Sequence, residues 1–259
     1  MKAERILSIP GAVNLRELGG YQNIHGQTIK WHKLLRSGEL SALPKSSVKE
    51  LTNYGLTYDI DLRSPSEVHW SPDKIDSSVI FKSYPAYPFD NGEKSDIPKT
   101  KELIYQSDFP INYDPYLTLI LNPSSRLAFR SMFLDLLNNT EDNHALLFHC
   151  SAGKDRTGIA AMLILGALEV PFQTIKDDYL LTNLINSRPD LDKLRNQINS
   201  PTAARFIQEM NQTFNVFASN LKKTYQLILN QFGSFDNYLI TALELSSNDL
   251  ARLRKIYLE

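Results

Sequence analysis

Two short apolar runs frame the chain. LTYDIDL at 56–62 and HALLFHC at 144–150 are each rich in apolar residues and followed by polar, turn-like positions, which predicts buried strands. SSVIFKSYP at 77–85 is a weaker run of the same kind. Around them the apolar positions fall at helical spacing. SSVKELTNYG predicts a helix ending at Gly55, and SSRLAFRSMFLDLLNN predicts another. Strands alternating with helices predict an α/β architecture, a central and mainly parallel sheet flanked by helices. From 171 onward TIKDDYLLTNLINS, QTFNVFASNLKKTYQLILNQFG, FDNYLITALEL and NDLARLRKIYLE are all helical in pattern. No repeat, low-complexity segment or Gly/Ser linker marks a boundary. The expectation is therefore one domain over 1–259 with additional C-terminal helices, some of them covering the site.

Composition narrows the function. With 42% apolar and 22% charged residues over 259 positions, the chain can bury a substantial core. A net charge of -1 gives no general attraction to nucleic acid or anionic lipid, so any anion must be bound locally. MKAERILSIPGA lacks the apolar core of a signal peptide, and no run of about 18 or more apolar residues occurs elsewhere. The expected protein is cytoplasmic, without integral membrane association. Cys150 is the single cysteine, which excludes an internal disulfide and a multi-thiolate metal site and leaves a free thiol. His25, His32, His69 and His144 have no metal-like spacing and read as surface or core histidines.

That thiol lies in HCSAGKDRTG at 149–158, between the apolar runs ALLF and IAAMLILGAL. A strand ending at His149 and a helix starting near Arg156 leave Cys150 to Asp155 as a tight loop at the strand's carboxyl end, where open α/β sheets bind ligands. The helix N-terminus offers unpaired N–H groups and the positive end of its dipole. Gly153 lets the backbone turn so that successive N–H groups converge, and Arg156 adds a fork that matches two phosphate oxygens. Ser151, Ala152, Gly153, Lys154 and Thr157 complete the expected phosphate cradle. The same field lowers the pKa of a cysteine, making Cys150 a nucleophile aimed at phosphorus. Thr157 can donate its hydroxyl to the sulfur, and His149 fits a role in fixing the loop. The competing reading is a buried structural cysteine.

HCSAGKDRTG resembles the signature loop of the cysteine-dependent phosphatases: His-Cys, five residues, Arg, then Ser or Thr. Its Gly-Lys-Asp-Arg variant resembles an atypical bacterial group of tyrosine and phosphoinositide phosphatases. GAVNLRELGGY, LLRSGEL, GLTYDIDLRSPSE, DYLLTN and FGSFDNYL are similar to segments of that group, in the same order. The resemblance implies an α/β phosphatase fold, no metal or cofactor, and a phosphocysteine intermediate. It implies phosphorylated protein or phosphoinositide as substrate, and no nucleic acid partner.

The flanking residues divide between roles. Asn14, Arg16, Gly19 and Gly20 form either an ordinary turn or a brace for the loop. Asp61 and Arg63, at the end of a predicted strand, form either an ion pair or, for Asp61, part of the pocket wall, toward which the resemblance tilts. Arg36 and Ser37 read as structural. Asp178, Tyr179 and Asn183 read as a buttress. LKK at 221–223 is a solvated helix face. Three aspartates compete to protonate the leaving group. Asp73, in WSPD, imitates an upstream acid loop; Asp114 stands 36 residues before the cysteine; Asp155 lies within the signature loop, where the resemblance implies an acid role. Lys154 is either a solvated lysine or a contact to a second phosphate. Two other functions stay open, a catalytically inactive phosphate-binding module and a rhodanese-type sulfurtransferase.

Overall fold

The computed structural model describes residues 4–87, 114–185 and 215–259. Its centre is a five-stranded sheet of β1 (Arg16–Glu17), β2 (Leu34–Ser37), β3 (Leu56–Asp61), β4 (Ile80–Ser83) and β5 (Ala145–His149). The order is β1-β2-β5-β3-β4, parallel throughout except for the antiparallel β1. Nine helices are seen among the described residues: α1 (Lys45–Tyr54), α2 (Pro65–Trp70), α3 (Pro115–Leu121), α4 (Pro123–Asn138), α5 (Arg156–Ala167), α6 (Phe172–Ile185), α7 (Ala218–Phe232), α8 (Phe235–Thr241) and α9 (Ser247–Tyr257).

The two central strands are apolar because both of their faces are covered. Leu146 and Phe148 of β5 lie with Leu34 and Ile60 against the helical layer that contains Phe129, Ile159, Leu163 and Tyr238. Ala145 and Leu147 point the other way, with Leu35 and Leu56, into a smaller core closed by Leu51 and Tyr54 of α1. The α/β architecture with added C-terminal helices is as the pattern predicts.

Local differences have local causes. β1 and β2 escaped the pattern because they are short and carry buried arginines. α2 was also missed, although Ser64 and Glu67 form a capping box across its first turn. The FDNYLITALEL helix stops at Thr241, and the chain turns through Glu244 at φ 54° to bury Leu243 and Leu245. The helix expected from Gln212 starts at Ala218; its first positions, 212–214, lie outside the described residues, as does the tail of the α6 segment beyond Ile185. α3 and α4 are separate helices, each begun by a capping side chain and a proline, Asp114–Pro115 and Asn122–Pro123. None of the described helices is long and apolar enough to cross a membrane.

Gly55 closes α1 at φ 113° and passes directly into β3, where its carbonyl accepts from Ala145 N at 2.8 Å. A Cβ there would stand 2.2 Å from the Asn143 carbonyl oxygen. Gly55→Ala is expected to destabilise the fold by about 2–4 kcal/mol, from backbone strain added to a clash with backbone. Urea denaturation checks this, and an unchanged midpoint would contradict it.

Candidate active site

The signature loop joins the end of β5 to the start of α5. Gly153 has φ 66°, and a Cβ on it would meet the Ser37 carbonyl at 2.5 Å, so the loop can lie on the end of β2 only with glycine there. Three successive carbonyls are drawn outward. Ser151 O accepts from Glu39 N at 3.0 Å, Ala152 O from Asn14 Nδ2 at 3.3 Å, and Gly153 O from both Asn14 Nδ2 at 2.8 Å and Arg36 Nη2 at 3.0 Å. Because each peptide is planar and trans, an outward carbonyl turns the following N–H to the opposite, concave side. Asp155, the N-cap of α5, makes no side-chain capping bond, so its carboxylate leaves the first-turn amides of the helix to the sulfur and to an anion.

Cys150 lies beneath this cradle, only 3% exposed. Burial alone would push its thiol up. The Arg156 guanidinium and the Thr157 hydroxyl and amide outweigh burial, and the net shift is downward. The Thr157 hydroxyl is buried beside the sulfur.

Arg156 is held before any substrate arrives. Its Nη1 and Nη2 donate to the two carboxylate oxygens of Glu67, each at 2.7 Å, and Nη2 also reaches Ser151 Oγ at 3.2 Å. Ser151 donates in turn to Glu67 Oε1. Burial would raise the Glu67 carboxyl, but these bonds hold it far below the usual carboxylate range. Tyr87 places its ring 5.5 Å from the guanidinium carbon, at the edge of the site.

Two buried charge networks stand behind the loop. Asp178 of α6 receives Arg16 Nε at 3.1 Å and Arg36 Nη1 at 2.6 Å, and Arg16 fixes Asn14 through its Oδ1 at 2.6 Å. Burial, then the neighbouring Arg16, pulls Arg36 down to about 10. Asp178 itself is shifted down, because the two guanidiniums overcome its burial. On the other side, His149 Nδ1 meets the Cys150 carbonyl at 3.2 Å, while Nε2 lies 3.1 Å from Asp59 and 3.2 Å from Asp73. Burial works against protonating this imidazole, but Asp61 and Asp59 raise it well above its ordinary value, so the cationic form is favoured and Nε2 faces the carboxylates as an ion pair. Burial pushes Asp59 up to about 6. Asp59, Asp73 and His149 are near enough together to suggest a metal site, yet Arg63 Nη2 at 2.7 Å from Asp73 and the protonated imidazole already supply the positive charge.

The predicted loop residues Cys150, Ser151, Ala152, Gly153, Lys154, Asp155, Arg156 and Thr157 are brought together. Asp61 is not at the open face. It is buried with both oxygens on Arg63, at 2.8–3.0 Å, and the geometry favours the ion pair over the pocket wall. Asn14 and Arg16 brace the loop, whereas Gly19 and Gly20 pack on Trp31. Arg36 touches the loop directly. Asn183 bonds the Val216 backbone instead of buttressing the loop. Of the three candidate acids, Asp73 is buried between Leu40 N and Arg63, and Asp114 caps α3 and pairs with Lys223 of α7. Only Asp155 sits at the cradle. Glu67, Tyr87 and Tyr116 were not anticipated; the capping-box spacing was the one available signal, and it marked a helix start rather than a site.

A low-pKa cysteine under converging amides, with a pre-oriented arginine fork, defines a cysteine-dependent phosphatase. The chain belongs to the tyrosine phosphatase family, which it matches over residues 7–259. It is 30% identical to a provisionally named tyrosine-protein phosphatase of Cupriavidus necator, over 95% of this chain and 85% of that protein. It is 31% identical to a tyrosine-protein phosphatase of Nostoc commune, over 57% of this chain and 47% of that one. It is 25% identical to the triple specificity protein phosphatase PtpB of Mycobacterium tuberculosis, over 98% and 99%.

Asp178→Asn removes the anion between two buried guanidiniums and is expected to cost about 3–5 kcal/mol of stability at neutral pH. Because the folded pKa of Asp178 is depressed, its contribution is present above the ordinary carboxylate pKa and is lost as pH falls through the folded value. Denaturation curves of parent and variant should therefore converge on acidification. A gap that stays constant with pH would contradict the assignment.

Proposed function

We propose that this protein phosphatase hydrolyses phosphotyrosine, with reach to phosphoserine/threonine and phosphoinositides, through a phosphocysteine intermediate. The observation that carries the proposal is the buried Cys150, its pKa lowered by Arg156 and Thr157 beneath an anion cradle. The thiolate attacks phosphorus, forming the S–P bond as the bond to the leaving oxygen breaks. Arg156 and the loop amides hold the equatorial oxygens through both steps. Asp155 gives its proton to the departing phenol or alcohol. In the second step the Asp155 carboxylate takes a proton from water as that water attacks phosphorus. The thiolate leaves, stabilised by the Thr157 hydroxyl, and phosphate departs.

Substrate breadth rests on Lys154, whose Nζ lies 3.7 Å from Asp155 Oδ2 beside the cradle. A cation there suits a substrate that carries a second phosphate. The triple specificity of the mycobacterial relative's name agrees with such breadth. The proposed enzyme is one domain over 1–259 with Cys150, Asp155 and Arg156 as its catalytic residues.

Rapid quenching of turnover on a phosphotyrosine peptide, followed by mass analysis, should find phosphate on Cys150. Cys150→Ser should lose turnover and the adduct while still binding the peptide, because Arg156 and the loop amides remain. Undiminished turnover in that variant would overturn the mechanism. Persulfide formation from thiosulfate without phosphatase activity would restore the sulfurtransferase reading, and peptide binding without any turnover in the parent would restore the inactive module.

A further inference from the structure

Asp155 is tied to a pair of phenols that the mechanism above does not use. The Tyr116 hydroxyl donates to Asp155 Oδ1, and the Tyr179 hydroxyl stands 3.0 Å from that of Tyr116. Three elements meet here: Tyr116 comes from α3, Tyr179 from α6, and Asp155 opens α5. Both tyrosines are buried, Tyr179 almost completely. Their supports are separate. Asp114 caps α3 through Tyr116 N at 2.9 Å and pairs with Lys223, whereas α6 is anchored one residue before Tyr179 by Asp178 on Arg16 and Arg36. As an N-cap, Asp155 would ordinarily turn its carboxylate back onto its own helix; here that bond is not made and the oxygen goes to Tyr116.

The consequence concerns which oxygen can act. Burial, then Tyr179 and Asp155, push the Tyr116 phenol far above its ordinary value, so it remains a donor at any pH at which the enzyme turns over. An oxygen that accepts a fixed O–H is a poor place for the acid's own proton. Resting on the reading of Asp155 as the acid, we infer that Tyr116 is a positioning residue for it: its hydroxyl, oriented by Tyr179, fixes Oδ1 and leaves the transferable proton to Oδ2. The groups that face Asp155 are Cys150 and Lys154 of the loop, Tyr87 after β4, Tyr116 of α3 and Tyr179 of α6. Of these, Tyr116 bonds Oδ1 and Lys154 Nζ lies 3.7 Å from Oδ2, so the two carboxylate oxygens have different partners. Removing the Tyr116 hydroxyl therefore takes the fixed donor from Oδ1 and leaves the orientation of Asp155 loose.

The test compares kcat/KM on a phosphotyrosine peptide and on an aryl phosphate with a strongly acidic phenol, for the full chain and for Tyr116→Phe, Tyr179→Phe and Asp155→Asn. In Tyr116→Phe, the loss on the peptide is expected to exceed that on the activated ester by about tenfold, a part of the roughly 10²–10⁴-fold that general acid catalysis supplies. Tyr179→Phe should show the same leaving-group dependence to a smaller extent. Equal losses on the two substrates would overturn the inference, and where Tyr116→Phe does not fold, the same result in Tyr179→Phe overturns it. Asp155→Asn separates the two levels. If it shows the leaving-group dependence and the tyrosine variants do not, only the positioning role falls. If it shows none, Asp155 is not the acid and the inference falls with it.

Discussion

Lowering the pKa of an almost fully buried sulfur is the constraint around which this molecule is arranged. Cys150 is 3% exposed, and burial by itself favours the neutral thiol, a poor nucleophile. The anion is sustained by Arg156, by Thr157 and by the first turn of α5. Arg156 would be a flexible side chain if left alone. Glu67 holds its fork flat from α2, and Ser151 joins that contact to the loop itself. The guanidinium is thus in position before phosphate arrives, and little order has to be gained on binding.

The rest of the sheet edge prevents the loop from relaxing. A ring of three carbonyls directed outward needs donors outside it, and Glu39, Asn14 and Arg36 provide them. Burying Arg36 and Arg16 together needs an anion between them, which is Asp178. On the far side, the protonated His149 needs Asp59 and Asp73, and Asp73 needs Arg63. Each buried charge therefore calls for the next, and the shells extend from the loop to β1, β2, β3 and α6. Such networks are poor sources of net stability but good sources of a single geometry.

This dependence explains what could be read along the chain. Strand, loop and helix are contiguous from Ala145 to Ala167, so the pattern displayed the cradle, its thiol and its arginine in one passage. Glu67 lies 89 residues before Arg156, and Tyr116 lies 39 before Asp155, so the fold alone makes these pairs. β1 and β2 failed the apolar test because Arg16 and Arg36 are buried charges, acceptable only once Asp178 is beside them. Asp61 and Asp73 show the same limit from the opposite direction. At a strand end and in an acid-loop imitation they suggested chemistry, whereas each is spent on Arg63. Asp114 likewise proved to be a helix cap.

The chain's single cysteine makes the central claim directly measurable, since thiolate absorbance in the ultraviolet can come from Cys150 alone. Titrated by that absorbance in the folded protein, Cys150 should ionise well below the roughly 8.5 of a free thiol, and in Arg156→Met the midpoint should move up. A midpoint at or above that of a free thiol, unmoved by the loss of Arg156, would contradict the account.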